Sequence, residues 1–114
     1  MPMYPAGKAA DAINAGSADA VAMNADAAII TTKSLTTAAG ATYSFTINCS
    51  LLDDGTIPIV VVGNGSNSAG SPALSTVTVA GTQIGPGSLT VVIQNIHSAN
   101  ALNGTLTLFV LLVK

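Results

Sequence analysis

Strict alternation of polar and apolar residues over residues 42–50 is the feature that most constrains how this chain can fold. The apolar side chains at every second position are Tyr43, Phe45, Ile47 and Cys49. Successive side chains of a β-strand point to opposite faces of the sheet, so this period of two predicts a strand with one buried face. The chain is therefore expected to build its core from β-sheet.

Further runs of β-branched and aliphatic residues follow along the chain. They lie at 28–33, 56–62, 74–80, 88–96 and 105–113. Segments rich in Gly, Pro, Asn and Ser separate them, chiefly 63–72, 81–87 and 97–104, and such segments predict loops. Asn103-Gly104 is the sharpest local turn signal. Six or so strands in this arrangement predict an all-β chain, a single β-sandwich or jelly-roll-like domain over residues 28–114.

Two of these runs carry more specific information. Pro58 lies near the start of the run 56–62 and predicts an edge strand or a first-residue position, because Pro cannot donate to a ladder. In the last run both faces are apolar from Phe109 onward. A strand of that kind is either central in its sheet or covered by a neighbour. The residues leave open whether another subunit or the chain itself provides the cover.

Residues 1–27 have a different composition, rich in Ala, Asp, Asn and Gly. Pro2, Pro5 and Gly7 favour irregular backbone, so we predict an N-terminal extended arm that lies on another surface. A thin heptad spacing, with Ser17 as a helix cap, also allows the arm to be partly helical, with one short helix near 18–24.

Charged side chains are scarce: the 114 residues include three Lys or Arg and five Asp or Glu. A compact monomer of 11.2 kDa exposes roughly 5,700 Å², which leaves about one charge per ~700 Å². That density is far below the density that keeps a free domain soluble. We therefore expect the chain to bury surface against copies of itself or against a large partner.

The same composition argues against several other partners. A net charge of −2 and the lack of Arg provide no electrostatic attraction for nucleic acid. The longest apolar run is far shorter than the about 20 residues of a transmembrane helix, so no membrane partner is expected.

Residues with catalytic or metal-binding chemistry are few. His97 is the only His, so one chain cannot form a two-histidine metal site. Cys49 lies in an alternating run and is predicted to be a buried, inert thiol. Asp53 and Asp54 precede a Gly and are interpreted as a solvated turn rather than a cation site. We predict no catalytic residue, no metal and no cofactor, and hence no enzyme; a small jelly-roll enzyme is disfavoured by the lone His.

In general style the chain resembles small structural proteins of bacteriophage particles, in particular capsid cement (decoration) proteins. The resemblance consists of the neutral Ala/Gly/Asn arm at 1–27, the Thr- and Val-rich strands from residue 28 and the apolar finish at 105–113. It implies a homotrimeric β protein that sits on the capsid surface of the virion after synthesis in the host cytoplasm. It also implies that the arm clamps neighbouring copies of the major capsid protein.

The partner-binding residues expected on this basis are large apolar side chains of the arm, of the first β-run and of the last strand. They are Ile13, Val21, Met23, Ile29, Ile30, Phe109, Leu111 and Val113. The alternative function is a phage tail or cell-surface binding module of lectin type, which would use loops 63–72 and 97–104. The shortage of aromatic residues in those loops argues against sugar stacking.

Overall fold

The computed structural model describes residues 11–63, 66 and 77–113, and all regular structure in that part of the chain is β-strand. The strands are β1 Asp11–Asn14, β2 Ala20–Ala22, β3 Ala27–Thr31, β4 Leu35–Thr37, β5 Thr42–Asn48, β6 Ile57–Gly63, β7 Val77–Gly85, β8 Ser88–Asn95, β9 Leu102–Gly104 and β10 Thr107–Val113. The prediction of an all-β chain is confirmed. Over the same residues, no helix is long and apolar enough to cross a membrane.

The strands form two four-stranded sheets and one two-stranded sheet. Their orders are β1-β3-β10-β6, β2-β5-β8-β7 and β4-β9. The first strand of each larger sheet runs parallel to its neighbour, and the remaining pairs are antiparallel. The result is a set of mixed, open sheets packed into a compact globule, not a closed barrel.

One apolar cluster joins the inner sides of the two larger sheets. On β8 the residues Leu89, Val91 and Ile93 are buried, and on β10 the buried residues are Leu108, Val110 and Leu112. The alternation predicted over residues 42–50 is confirmed: Phe45, Ile47 and Cys49 are buried, Tyr43 on the same side is half-buried, and the polar residues between them are half-buried or exposed. The core is therefore aliphatic, with Phe45 its largest side chain.

Residues 11–27 are built into the same sheets. β1 pairs in parallel with β3, and β2 pairs in parallel with β5. The prediction that a short helix could form near 18–24 is wrong. Ala20–Ala22 is a strand, and the Met23 N–H donates to the Asn48 carbonyl at 2.8 Å. Val21 and Met23 reach the core at alternate positions, and this burial outweighs a thin heptad spacing. Residues 1–10 of the predicted arm lie outside the described residues.

Two turn predictions are also wrong. The predicted loop 81–87 is largely strand, because β7 continues to Gly85 past a bulge between Val79 and Gly81. Only Pro86 and Gly87 form the turn to β8, and Gly87 has φ +74°. Asn103-Gly104 belongs to β9, where it pairs with β4. Both segments are at sheet margins, where a bulge or a short ladder tolerates residues that normally mark turns. Most of the predicted loop 63–72 lies outside the described residues.

The two more specific strand predictions have clear outcomes. β6 is the last strand of its sheet, with Pro58 as its second residue, so the edge position is confirmed. β10 lies between β3 and β6 and is therefore central within its sheet. Its inner side is covered by the chain itself, whereas its outer side is only partly covered.

Candidate functional site

The outward side of the sheet β1-β3-β10-β6 is apolar. Along β10 the even-numbered residues 108, 110 and 112 point into the core, so Phe109, Leu111 and Val113 point outward. The neighbouring strands place further large apolar residues beside them. Phe109 lies opposite Ile29 of β3 and opposite Val61 of β6.

The same register continues toward the end of β10. Leu111 lies opposite Ile59, and Val113 lies opposite Ile57. Residues directly opposite one another on neighbouring strands have adjacent side chains, so these residues form one continuous surface. We call this surface the outer apolar face; it consists of Ile29, Ile57, Ile59, Val61, Phe109, Leu111 and Val113.

Five of these side chains are well exposed, with exposed fractions between 37% for Phe109 and 63% for Ile57. Taking about 200 Å² for a fully exposed large apolar side chain, the five fractions correspond to roughly 500 Å² of apolar surface. The largest apolar patch on a typical monomer measures about 300–600 Å² and is often functional. A patch of this size on a chain of this length is therefore a candidate interaction surface.

The described strands that form this face have no charge on their outward side. No outward position of β1, β3, β10 or β6 holds a charged residue. At one end the face finishes in a polar row, where Thr107 lies opposite Thr31 and Gly63, and Thr31 lies opposite Asn14. The face therefore has an apolar centre and a neutral, hydroxyl-bearing margin.

An ion pair lies away from the outer apolar face. The Lys33 Nζ is 2.8 Å from the Asp19 Oδ1, and the Tyr43 hydroxyl donates to the same oxygen at 2.8 Å. These hydrogen bonds, with that to Lys33 the stronger influence, lower the pKa of Asp19 below 3.8. Burial, followed by the bond to Asp19, raises the pKa of Tyr43 above 10.0. The Lys33 ammonium also lies 5.7 Å from the centre of the Tyr43 ring.

This arrangement is structural in character. It connects the residue before β2, the segment after β3 and the first half of β5. The Asp19 Oδ1 joins the three segments by contacting both the Lys33 ammonium and the Tyr43 hydroxyl.

The Asp53-Asp54 segment is a turn in the structure. The Asp53 Oδ1 accepts from the Gly55 N–H at 2.9 Å and from the Thr56 hydroxyl at 3.3 Å. Over the described residues, no group of three or more His, Cys, Asp or Glu side chains is placed to hold a metal ion.

His97 organises a loop. Its Nδ1 accepts from the Ala99 N–H at 3.0 Å and from the Asn100 N–H at 2.8 Å. The buried Asn95 completes the arrangement: its amide donates to the Thr37 and Asn100 carbonyls, and its Oδ1 accepts from the His97 N–H. The Nδ1 of His97 therefore holds the loop in shape by accepting these two backbone hydrogen bonds.

The residues predicted to bind a partner divide into two groups. Ile29, Phe109, Leu111 and Val113 lie together on the outer apolar face. Val21, Met23 and Ile30 are buried in the core, and Ile13 is half-buried where it pairs with Ile30. Partner binding itself stays a prediction.

Sequence reasoning missed the contribution of β6, namely Ile57, Ile59 and Val61. The run Ile57–Val62 is apolar at every position, so its period-two signal is hidden. Only the partly buried Val60 and Val62, packed against the core, reveal which side of β6 points inward.

Comparison with known proteins adds no relative. No protein-family model matches this chain, and neither the curated proteins nor the solved structures provide a match.

Proposed function

We propose that this chain is a non-enzymatic structural protein of a bacteriophage particle. In this proposal it decorates the capsid surface and stabilises the head by associating with its own copies and clamping neighbouring copies of the major capsid protein. The observation that carries the proposal is the uncharged outer apolar face, because a large exposed apolar patch is typical of a protein–protein contact site.

The finer description of the fold belongs to the same proposal. We interpret the two four-stranded sheets, with one core between their inner sides, as a β-sandwich with a small two-stranded sheet beside it. A sandwich holds the side chains of its outer face in place before any partner arrives. Less conformational entropy is then lost on binding, and the β-branched Ile and Val residues lose least.

The absence of charge also favours assembly. Docking a neutral apolar face avoids the cost of stripping water from ionised groups. On a particle with many equivalent positions, modest contacts of this kind add up through effective concentration. The homotrimer stays a prediction from the resemblance to decoration proteins.

Co-assembly with the capsid tests the function. The chain is co-expressed with the major capsid protein of the phage whose genome encodes it, and assembled particles are sedimented. We expect the chain to sediment with the particles at a fixed ratio and to raise the temperature at which they disrupt. A chain left in the supernatant while intact particles form would contradict the proposal.

The clamp is tested by a deletion that spares the sheets. Removing all of residues 1–27 would also remove β1, β2 and the buried Met23, so a loss of binding would report unfolding instead. Deleting residues 1–10 alone leaves these elements intact. Particle binding that is unchanged by this shorter deletion would contradict a clamp in that segment.

The lectin-like alternative also stays a prediction. Its loop 97–104 is described and is organised by His97 and Asn95, and it holds no aromatic residue for sugar stacking. A glycan array probed with the purified chain measures this activity directly.

A further inference from the structure

We infer that the outer apolar face binds the same face of a second copy of this chain, sheet against sheet, about a two-fold axis. This inference rests on the proposed function, which includes self-association. It deepens that function by naming the surface and the symmetry of the contact. Its support comes from the area, the charge and the shape of the face.

The area fits a contact between two identical chains. A standard interface buries about 800 Å² on each partner, and homodimer interfaces are about 65% apolar, which corresponds to roughly 500 Å² of apolar surface per chain. The five exposed residues of the outer apolar face provide roughly that amount. The row of Thr31, Thr107 and Asn14 at its end provides part of a polar rim.

The lack of charge favours a second copy over a charged partner. A face without charged residues cannot bring like charges together when it meets its own copy, whatever the register of the contact. A partner with a charged surface, such as a nucleic acid or a lipid headgroup layer, would find no opposite charge here. It would lose hydration without compensation.

The shape of the face also suits its own copy. Side chains of two packed sheets interdigitate at a spacing of about 10 Å, with strand directions within about 30° of each other. Here Phe109 stands in the central strand between the shorter side chains of Ile29 and Val61. A large side chain flanked by smaller ones on both sides provides the ridge and the grooves that such packing needs.

The symmetry follows from the use of a single patch. A face that binds itself forms an isologous contact and closes at two copies, whereas a cyclic trimer needs two different patches on each chain. The expected unit is therefore a dimer, in contrast to the homotrimer that the resemblance implies.

Two matched lysine substitutions test the inference. Val61 lies on the outer apolar face and Ile96 follows β8 outside this face, and both side chains are 54% exposed. In size-exclusion chromatography with light scattering and in sedimentation equilibrium, we expect the wild-type chain to have twice its chain mass of 11.2 kDa. Val61→Lys should be monomeric at the same concentration, with a dissociation constant at least ~100-fold higher, because the contact would bury an unpaired ammonium. Ile96→Lys should dimerise like the wild type.

Circular dichroism and thermal unfolding of each variant show whether it is folded. If Val61→Lys does not fold, Ile57→Lys takes its place, since Ile57 is the most exposed residue of the face. The inference is overturned if the wild type is monomeric or trimeric. It is also overturned if a folded face variant still dimerises, or if Ile96→Lys abolishes the dimer as strongly as the face variant does.

The same variants separate this inference from the proposed function. A dimer that depends on the face but never sediments with capsids would retain the inference and reject the decoration function. A wild-type monomer that sediments with capsids would retain capsid decoration, and would reject this inference together with the self-association that the proposed function includes.

Discussion

The outward sides of the two four-stranded sheets differ sharply. On β5 the outward positions are Thr42, Ser44, Thr46 and Asn48, and on β8 they are Ser88, Thr90, Val92 and Gln94. Apart from Thr107 and Gly63 at one end, the corresponding positions of β6 and β10 hold Ile, Val, Leu and Phe. Both sheets bury an aliphatic inner side in one core, so folding requires neither kind of outer face. The outer face of β5 and β8 is polar and can hydrogen-bond to water, whereas the outer face of β6 and β10 is apolar and cannot.

The last strands of the two sheets differ as well. β7 carries a bulge between Val79 and Gly81, and such an irregularity disfavours pairing with another chain. β6 keeps an unbroken register with β10 from Ile57 to Gly63. The sheet with the polar outer face thus also has the more irregular last strand, and the apolar face belongs to the regular sheet.

The largest expected effect contrasts two adjacent residues of β10. Val110→Lys places an ammonium in the core and should lower the free energy of unfolding by at least about 4 kcal/mol. Phe109→Lys changes the outer apolar face and should lower the free energy of unfolding by only about 1 kcal/mol. Urea unfolding followed by circular dichroism, on dilute protein, measures both. Equal losses in the two variants would show that the outer side of β10 is covered within the chain.

The next effect concerns the inner side of the segment before β3. Met23→Ala removes a fully buried side chain and should cost about 3 kcal/mol. Its neighbour Ala22 is exposed, so Ala22→Ser should change the free energy of unfolding by less than about 0.5 kcal/mol. The same unfolding experiment compares them. A negligible effect of Met23→Ala would mean that residues 11–27 act as an arm that does not stabilise the β core.

A smaller effect comes from making the polar outer face resemble the apolar one. Thr46 and Thr90 lie opposite each other on β5 and β8, beside the outward Val92. Replacing both with Val should change the free energy of unfolding by less than about 1 kcal/mol, since Val suits a strand equally well. The new patch should promote association, measured by light scattering in the Val61→Lys background. The Thr46→Ser, Thr90→Ser variant is the control, and equal association of the two variants would contradict the expectation.

The smallest effect is the pH dependence of the pair that lies off both outer faces. Because the pKa of Asp19 is lowered on folding, its contribution to stability is present above pH 3.8 and is lost as the pH falls through the folded-state pKa. The raised pKa of Tyr43 has the opposite sense, so that contribution is present below pH 10.0 and declines above it. The thermal midpoint of Asp19→Asn should therefore lie below that of the wild type at pH 7 and converge with it in acid. A constant difference at all pH values would contradict this assignment.

The strands with a visible pattern were predictable from the sequence. The alternation around Phe45 predicts β5 and its buried side, and the β-branched runs predict β3, β8 and β10 to within a few residues. The short strands β1, β2, β4 and β9 carry no such signal. β1 and β2 form because the longer strands β3 and β5 offer them a partner, and just after β2 the Met23 N–H finds its acceptor at Asn48. β4 and β9 form by pairing with each other. Tertiary pairing of this kind overrides weak local preferences.

The candidate site was predictable only in part. Phe109, Leu111 and Val113 are conspicuous because the end of the chain is apolar on both faces. Ile29 and Ile30 look equivalent in the sequence, yet Ile30 is fully buried and Ile29 is exposed. A continuous apolar run does not specify which side of a strand meets the core, because both sides offer the same transfer free energy.

The sequence by itself determined the all-β class of fold and the scarcity of charge on every surface the chain can present. Composition and local alternation act residue by residue and need no partner strand. Only the tertiary structure decided that seven apolar side chains from β3, β6 and β10 lie side by side on one outer face. That outcome depends on register between strands distant in sequence, where a shift by one residue would send each of these side chains to the opposite side of the sheet.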